Sequence, residues 1–122
     1  MSNVFYATGK QIYNAAVAGA NCGYNRSTDD HSKYSDLLSQ NFKLMMGSIT
    51  NESARRKFLK LTKNDWKRAY FPISLIKIRQ HKAGAPCEKH ARVYLHSKEG
   101  AIFDIPMKKW DAICEESARL LS

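Results

Sequence analysis

Apolar residues recur along this chain with two different periods, and the change of period divides it. Tyr34, Leu37, Leu38, Phe42, Met45 and Met46 fall three or four apart with polar residues between, which is the spacing of one helix face. Ser27, Thr28 or Asp29 offers a cap and Gly47 a stop, so a helix is predicted over about 29–46. Its apolar face reads as core or dimer packing rather than as a cofactor box. Beyond the linker SITNES the period falls to two. Arg56, Phe58 and Lys60 alternate with Lys57, Leu59 and Leu61 as in a strand, and Thr62-x-x-Asp65 then caps a short helix around Trp66 that Pro72 ends.

Strands are next expected at 73–81 and 88–96, separated by the loop AGAP. Lys98-Glu99-Gly100 turns the chain into a further strand at 101–105, its hairpin neighbour. Pro106 suits the first position of a terminal helix striped by Trp110, Ile113, Cys114, Ser117 and Leu121, a core or dimer face. The first 28 residues, with the small-residue run AAVAGANCG and a weak helical period near 10–18, read as loosely ordered or as an arm. FLKLTKNDW and IFDIPMKKW align at an offset of 44, too short a match to establish a repeat. The expected class is α+β: a curved antiparallel sheet of about four strands backed by the C-terminal helix, with an additional N-terminal helix. Residues 1–50 form an arm and helical segment in this reading, and 51–122 the sheet-plus-helix domain.

Strand parity then decides which side chains stand together, because successive residues point to opposite faces. Leu59, Leu61, Ile76, Ile78, Ala91, Val93 and Leu95 are expected on the core face. The opposite face collects Arg56, Phe58, Lys60, Lys77, Arg79, His81, His90, Arg92, Tyr94 and His96, diluted by Leu75 and by Glu88 at a strand end. A solvated sheet face is normally polar. That explains polarity but not sign, for none of these ten residues is an acid.

Charge sharpens the picture. The 122 residues carry 20 Lys+Arg against 11 Asp+Glu, a formal net charge of +9. Residues 1–50 hold four basic and three acidic residues, while 55–82 alone hold ten basic residues and the single acid Asp65. So local an excess points to a polyanionic partner. Cations interleaved with aromatics suit single-stranded nucleic acid, where ammonium and guanidinium groups track phosphates and aromatic planes stack on unpaired bases. A duplex asks for a helix or ribbon shaped to a groove, and no helix here has a dense basic face.

Other chemistries find less support. Cys87-x-x-His90 with His81 and His96 lacks the second close Cys/His pair of a zinc finger or knuckle, so no metal is expected. A nucleophilic Cys87 or Cys114 has no placeable orienting group, glycine-rich phosphate loops are missing, and carboxylates are scattered. A non-enzyme without cofactor or small-molecule substrate follows. Three widely spaced cysteines argue against a disulfide framework and for a reducing compartment. With no signal-like N-terminus and no run of about 20 apolar residues, the chain is expected to be soluble and intracellular, away from membranes. It would be nuclear in a eukaryote or a nuclear virus, and otherwise cytoplasmic.

SLIKIRQHK, GAIFDIPMKKWDAI with Ile105 five positions before Trp110, and the order of strands before one terminal helix resemble the positive cofactor 4 family of single-stranded-DNA-binding transcriptional coactivators. The resemblance covers about 55–121. It implies a four-stranded curved sheet, dimerisation through the helical side and DNA along the strands, with Arg79 at the family's DNA-contacting arginine and Tyr70 near its aromatic. Phe71 and Ile73 stand where that family has lysines, Lys82 where it has an aromatic, and the helix at 29–46 is outside its pattern.

The expected function is a non-enzymatic, homodimeric protein preferring single-stranded DNA, with RNA left open, acting in transcription, replication or genome packaging. Arg56, Lys60, Lys77, Arg79, Lys82 and Arg92, aided by His81, would meet phosphates, and Phe58 and Tyr94 would stack on bases. The alternative is a structural or assembly protein whose basic face coats nucleic acid without strand preference or docks on an acidic protein.

Overall fold

Four short extended segments build one antiparallel sheet in the computed structural model, which describes residues 4–22, 32–47, 65–81, 83–84, 89–96 and 100–121. In chain order the elements are β1 (Val4–Thr8), α1 (Gly9–Asn21), α2 (Ser32–Gly47), a 3₁₀ turn (Asp65–Lys67), β2 (Tyr70–Gln80), β3 (Lys89–Leu95), β4 (Ala101–Pro106) and α3 (Met107–Leu121). The strands lie in the order β1-β2-β3-β4. The architecture is the expected α+β one, with a helix near each end of the sequence, and one strand comes from a segment not expected to form any.

That segment is the N-terminus, read from sequence as a loose arm. β1 pairs with the first half of β2, from Val4 opposite Ser74 to Thr8 opposite Tyr70. Thr8 then caps α1, its Oγ1 accepting from the Gln11 N–H at 3.1 Å. So short a strand carries little periodic signal, and β1 exists because a strand distant in sequence covers its backbone. α1 is equally quiet in sequence because its buried face, Ile12, Ala15, Ala16, Gly19 and Ala20, is made mostly of small residues. Small residues let the helix settle close against β4. At its start the fit is tight enough to need glycine: a Cβ on Gly9 would meet the Trp66 carbonyl oxygen and approach its Cε3 to 2.8 Å.

The strand expected at 56–61 lies outside the described residues. The short helix around Trp66 is a single 3₁₀ turn, and Pro72 does not end it but sits inside β2. Proline is tolerated there because its carbonyl accepts from the His96 N–H at 3.0 Å at the very end of the β2–β3 ladder, so the missing N–H costs no internal pair.

One face of the sheet is the core. Phe71, Ile73, Ala91, Val93, Leu95, Phe103 and Ile105 are buried on it with Ala7, and the helices cover them with Ile12, Leu38, Trp110 and Ile113. The Trp110 ring meets Phe5 edge-on at 5.0 Å, and Tyr34 of α2 meets Phe103 at 5.8 Å. Trp110 and Ile113 thus pack inside this chain, Cys114 is half-buried beside them, and the side chain of Leu121 lies outside those described. Ser117, on the same stripe, ties the helix to the sheet. Its Oγ accepts the Tyr6 N–H at 3.0 Å, so α3 covers the outer edge of β1.

Two expected core residues are not buried. β2 carries a bulge between Leu75 and Lys77, which puts Leu75 on the core side opposite Val93 and leaves Ile76 as the extra residue, 47% exposed. Ile78 keeps the core-side parity opposite Ala91 but lies beyond the helices, 49% exposed. Among the cysteines, Cys22 at the end of α1 is disulfide-bonded, against the expectation of reduced thiols, while Cys114 is free. Spacing in sequence does not report the Cα proximity that decides bridging.

Candidate nucleic-acid interface

The face opposite the core is set by register. Lys77 stands opposite Arg92, Arg79 opposite His90, and Ser74 opposite Tyr94, so these side chains share one side of β2 and β3. The bulge makes this possible. Regular pairing after Leu75 would have turned Lys77 toward Ala91 and the core; the extra residue restores it to the open side. Lys77 and Arg79 are both exposed, two residues and about 7 Å apart on one face.

β4 changes the electrostatics. Asp104 pairs with Arg92 in the ladder and takes its guanidinium in two contacts, Nε to Oδ1 at 3.1 Å and Nη2 to Oδ2 at 3.2 Å. This carboxylate raises the Arg92 pKa further, first by hydrogen bonding and then by charge. The face therefore contains an acid after all, and Arg92 is anchored where Lys77 and Arg79 extend into solvent. Replacing Asp104 by Asn removes the opposing charge while keeping the shape. A single-strand oligonucleotide should then bind several-fold tighter, with a log-log salt slope steeper by about 0.7, one extra phosphate contact. An unchanged slope would mean that Arg92 does not reach the ligand.

His90 has the parity expected of it but is fully buried, its ring edge-on to His81 at 4.7 Å. Burial pushes its pKa down, the neighbouring His81 and Arg79 add to this, and Asp104 opposes them. His90 is thus held neutral in the fold. Between its lowered pKa and the unfolded value of 6.5 the unfolded chain binds more protons, so stability rises with pH across that window and is lost as pH falls through it. The melting temperature should fall from about pH 7.5 to about pH 5, and His90→Gln should flatten that dependence. An equally steep profile in the variant would assign it to another group.

Tyr94 is half-buried, its ring edge-on to His96 at 5.0 Å, and His96 Nε2 lies 2.6 Å from Ser74 Oγ. Gly100, at φ +64°, makes room for that ring: a Cβ there would lie 2.6 Å from the Tyr94 hydroxyl. Ile102 continues the row opposite Tyr94 and is 59% exposed. Tyr6 joins from β1, opposite Pro72. On this face His90, Ser74 and Asp104 are buried, Lys77 and Arg79 form an exposed cationic end, and Ile102 is exposed at the other end beside the half-buried Tyr94, with Tyr6 half-buried on β1.

Of the residues singled out by sequence, the structure brings together Lys77, Arg79, Arg92 and Tyr94, with His81 half-buried against His90. Arg56, Phe58, Lys60, Lys82 and Cys87 lie outside the described residues. Asp104, Tyr6 and Ile102 were missed. Phe103 and Ile105 alternating with Ile102 and Asp104 carried a parity signal; Tyr6 had none without β1. The Cys114 thiol is pushed up by burial and then by Asp111, which disfavours the thiolate. No family model, curated protein or solved structure matches this chain.

Proposed function

We propose that this is a non-enzymatic nucleic-acid-binding protein that prefers single-stranded DNA, acting in transcription, replication or genome packaging. The observation that carries the reading is the juxtaposition, on one sheet face, of the exposed cations Lys77 and Arg79 with the half-buried Tyr94 ring. Phosphates would follow the cations and a base would lie on the Tyr94 ring, a division of labour that duplex DNA, with its bases stacked inside, does not reward. The similarity to positive cofactor 4 proteins supports the same reading through Arg79.

The test is fluorescence anisotropy with matched single-stranded and duplex oligonucleotides across a salt series. Single strands should bind more tightly, and Tyr94→Ala should cost about 1–3 kcal/mol on single strands and much less on duplex. Equal losses on both would remove the stacking role. Equal wild-type affinity for both would favour the alternative, a basic coat without strand preference.

A further inference from the structure

β2 is longer than its partner on one side. β1 covers it only from Tyr70 to Ser74, while β3 follows it to Gln80. From Leu75 to Gln80 the outer edge of β2 therefore pairs with nothing among the described residues, and all six residues are exposed. A strand edge of that length presents backbone N–H and C=O groups that another strand can take up. It also presents large apolar side chains: Leu75, Ile76 and Ile78 are among the few exposed hydrophobics of the described chain.

The charges on this edge select what can pair with it. Lys77 and Arg79 point to the open side, with no acid among the six residues. A second copy of the chain meeting this edge antiparallel would set Lys77 against Lys77 or Arg79, and like charges directly opposite are destabilising. An incoming strand with acids at every second position avoids that conflict. Its acids would face Lys77 and Arg79, and its alternate residues would face Ile78 on the other side of the sheet.

We propose that the outer edge of β2 over Leu75–Gln80 binds an extended protein segment of alternating acidic and apolar residues by strand addition. Main-chain hydrogen bonds supply the affinity in this mode and the two side-chain rows the specificity. The proposal stands apart from nucleic-acid binding, since it requires the backbone of the edge and the ligand's amides. Because Lys77 and Arg79 serve both, the segment and an oligonucleotide should displace one another.

The experiment uses the full chain and three labelled octapeptides read by anisotropy: alternating Glu and Val, the same composition in two blocks, and the alternating peptide N-methylated at every second amide on its pairing edge. The alternating peptide should bind, and the block and N-methylated forms should bind about tenfold more weakly or worse. Lys77→Glu with Arg79→Glu should lose the Glu/Val peptide and gain an alternating Lys/Val one. Equal binding of all three Glu/Val peptides would reduce the effect to charge attraction and overturn strand addition. No binding of the alternating peptide, with single-strand DNA still bound, would overturn it while leaving the nucleic-acid reading intact.

Discussion

Reversing both exposed cations of β2, Lys77→Glu together with Arg79→Glu, is expected to lower affinity for a single strand by about two orders of magnitude. Two phosphate contacts are lost and two repulsions gained, and the log-log salt slope should flatten by about 1.4, since each contact contributes about 0.7. The fold should not suffer. Both side chains are exposed, and Lys77 stands opposite the like charge of Arg92, so substitution there removes a repulsion rather than a contact. The informative control is Lys108→Glu with Lys109→Glu, which changes net charge by the same amount on the exposed start of α3. A protein that reads nucleic acid with its open sheet face should lose little in the control. If both doubles weaken binding equally, only total charge matters and the proposed track along β2 is wrong.

How this face arises shows what a sequence pattern can and cannot reveal. Alternation over Ala91, Val93 and Leu95 against His90, Arg92 and Tyr94 was legible because β3 is regular and buried on one side, where period two is enforced by packing. In β2 the same logic placed Lys77 and Arg79 correctly but misassigned Leu75 and Ile76. An apolar pair next to a cation does not disclose which residue the partner strand will leave unpaired, and a bulge is a property of two strands. β1 was illegible for a related reason: its stability comes from β2 and from the Ser117 hydroxyl on its outer edge, both distant in sequence. The Arg92–Asp104 pair lay within reach, since once the hairpin is folded at Gly100 the two positions face each other.

The largest effect on stability is expected from Trp110→Ala. Trp110 is buried where α3 passes the first strand, its ring against Phe5, and the fully buried Ile113 follows one turn later. Truncating a buried tryptophan typically costs about 3–5 kcal/mol, from lost transfer energy and the cavity left behind. Against a total of about 5–15 kcal/mol for an ordinary domain, the variant should lose between about a fifth and nearly all of its stability. The damage should also have a direction. β1 is held by its ladder to β2, by the Phe5–Trp110 contact and by the Tyr6 N–H to Ser117, and the last two depend on α3 being seated. Urea titration should show the stability loss, and native-state hydrogen exchange should show the Tyr6 amide losing protection before the Val93 amide in the middle of the sheet. A cost below about 1 kcal/mol with Tyr6 still protected would mean that β1 is held by its ladder alone. In the expected case α3 is what keeps β1, and with it Tyr6, in the same sheet as the cations of β2.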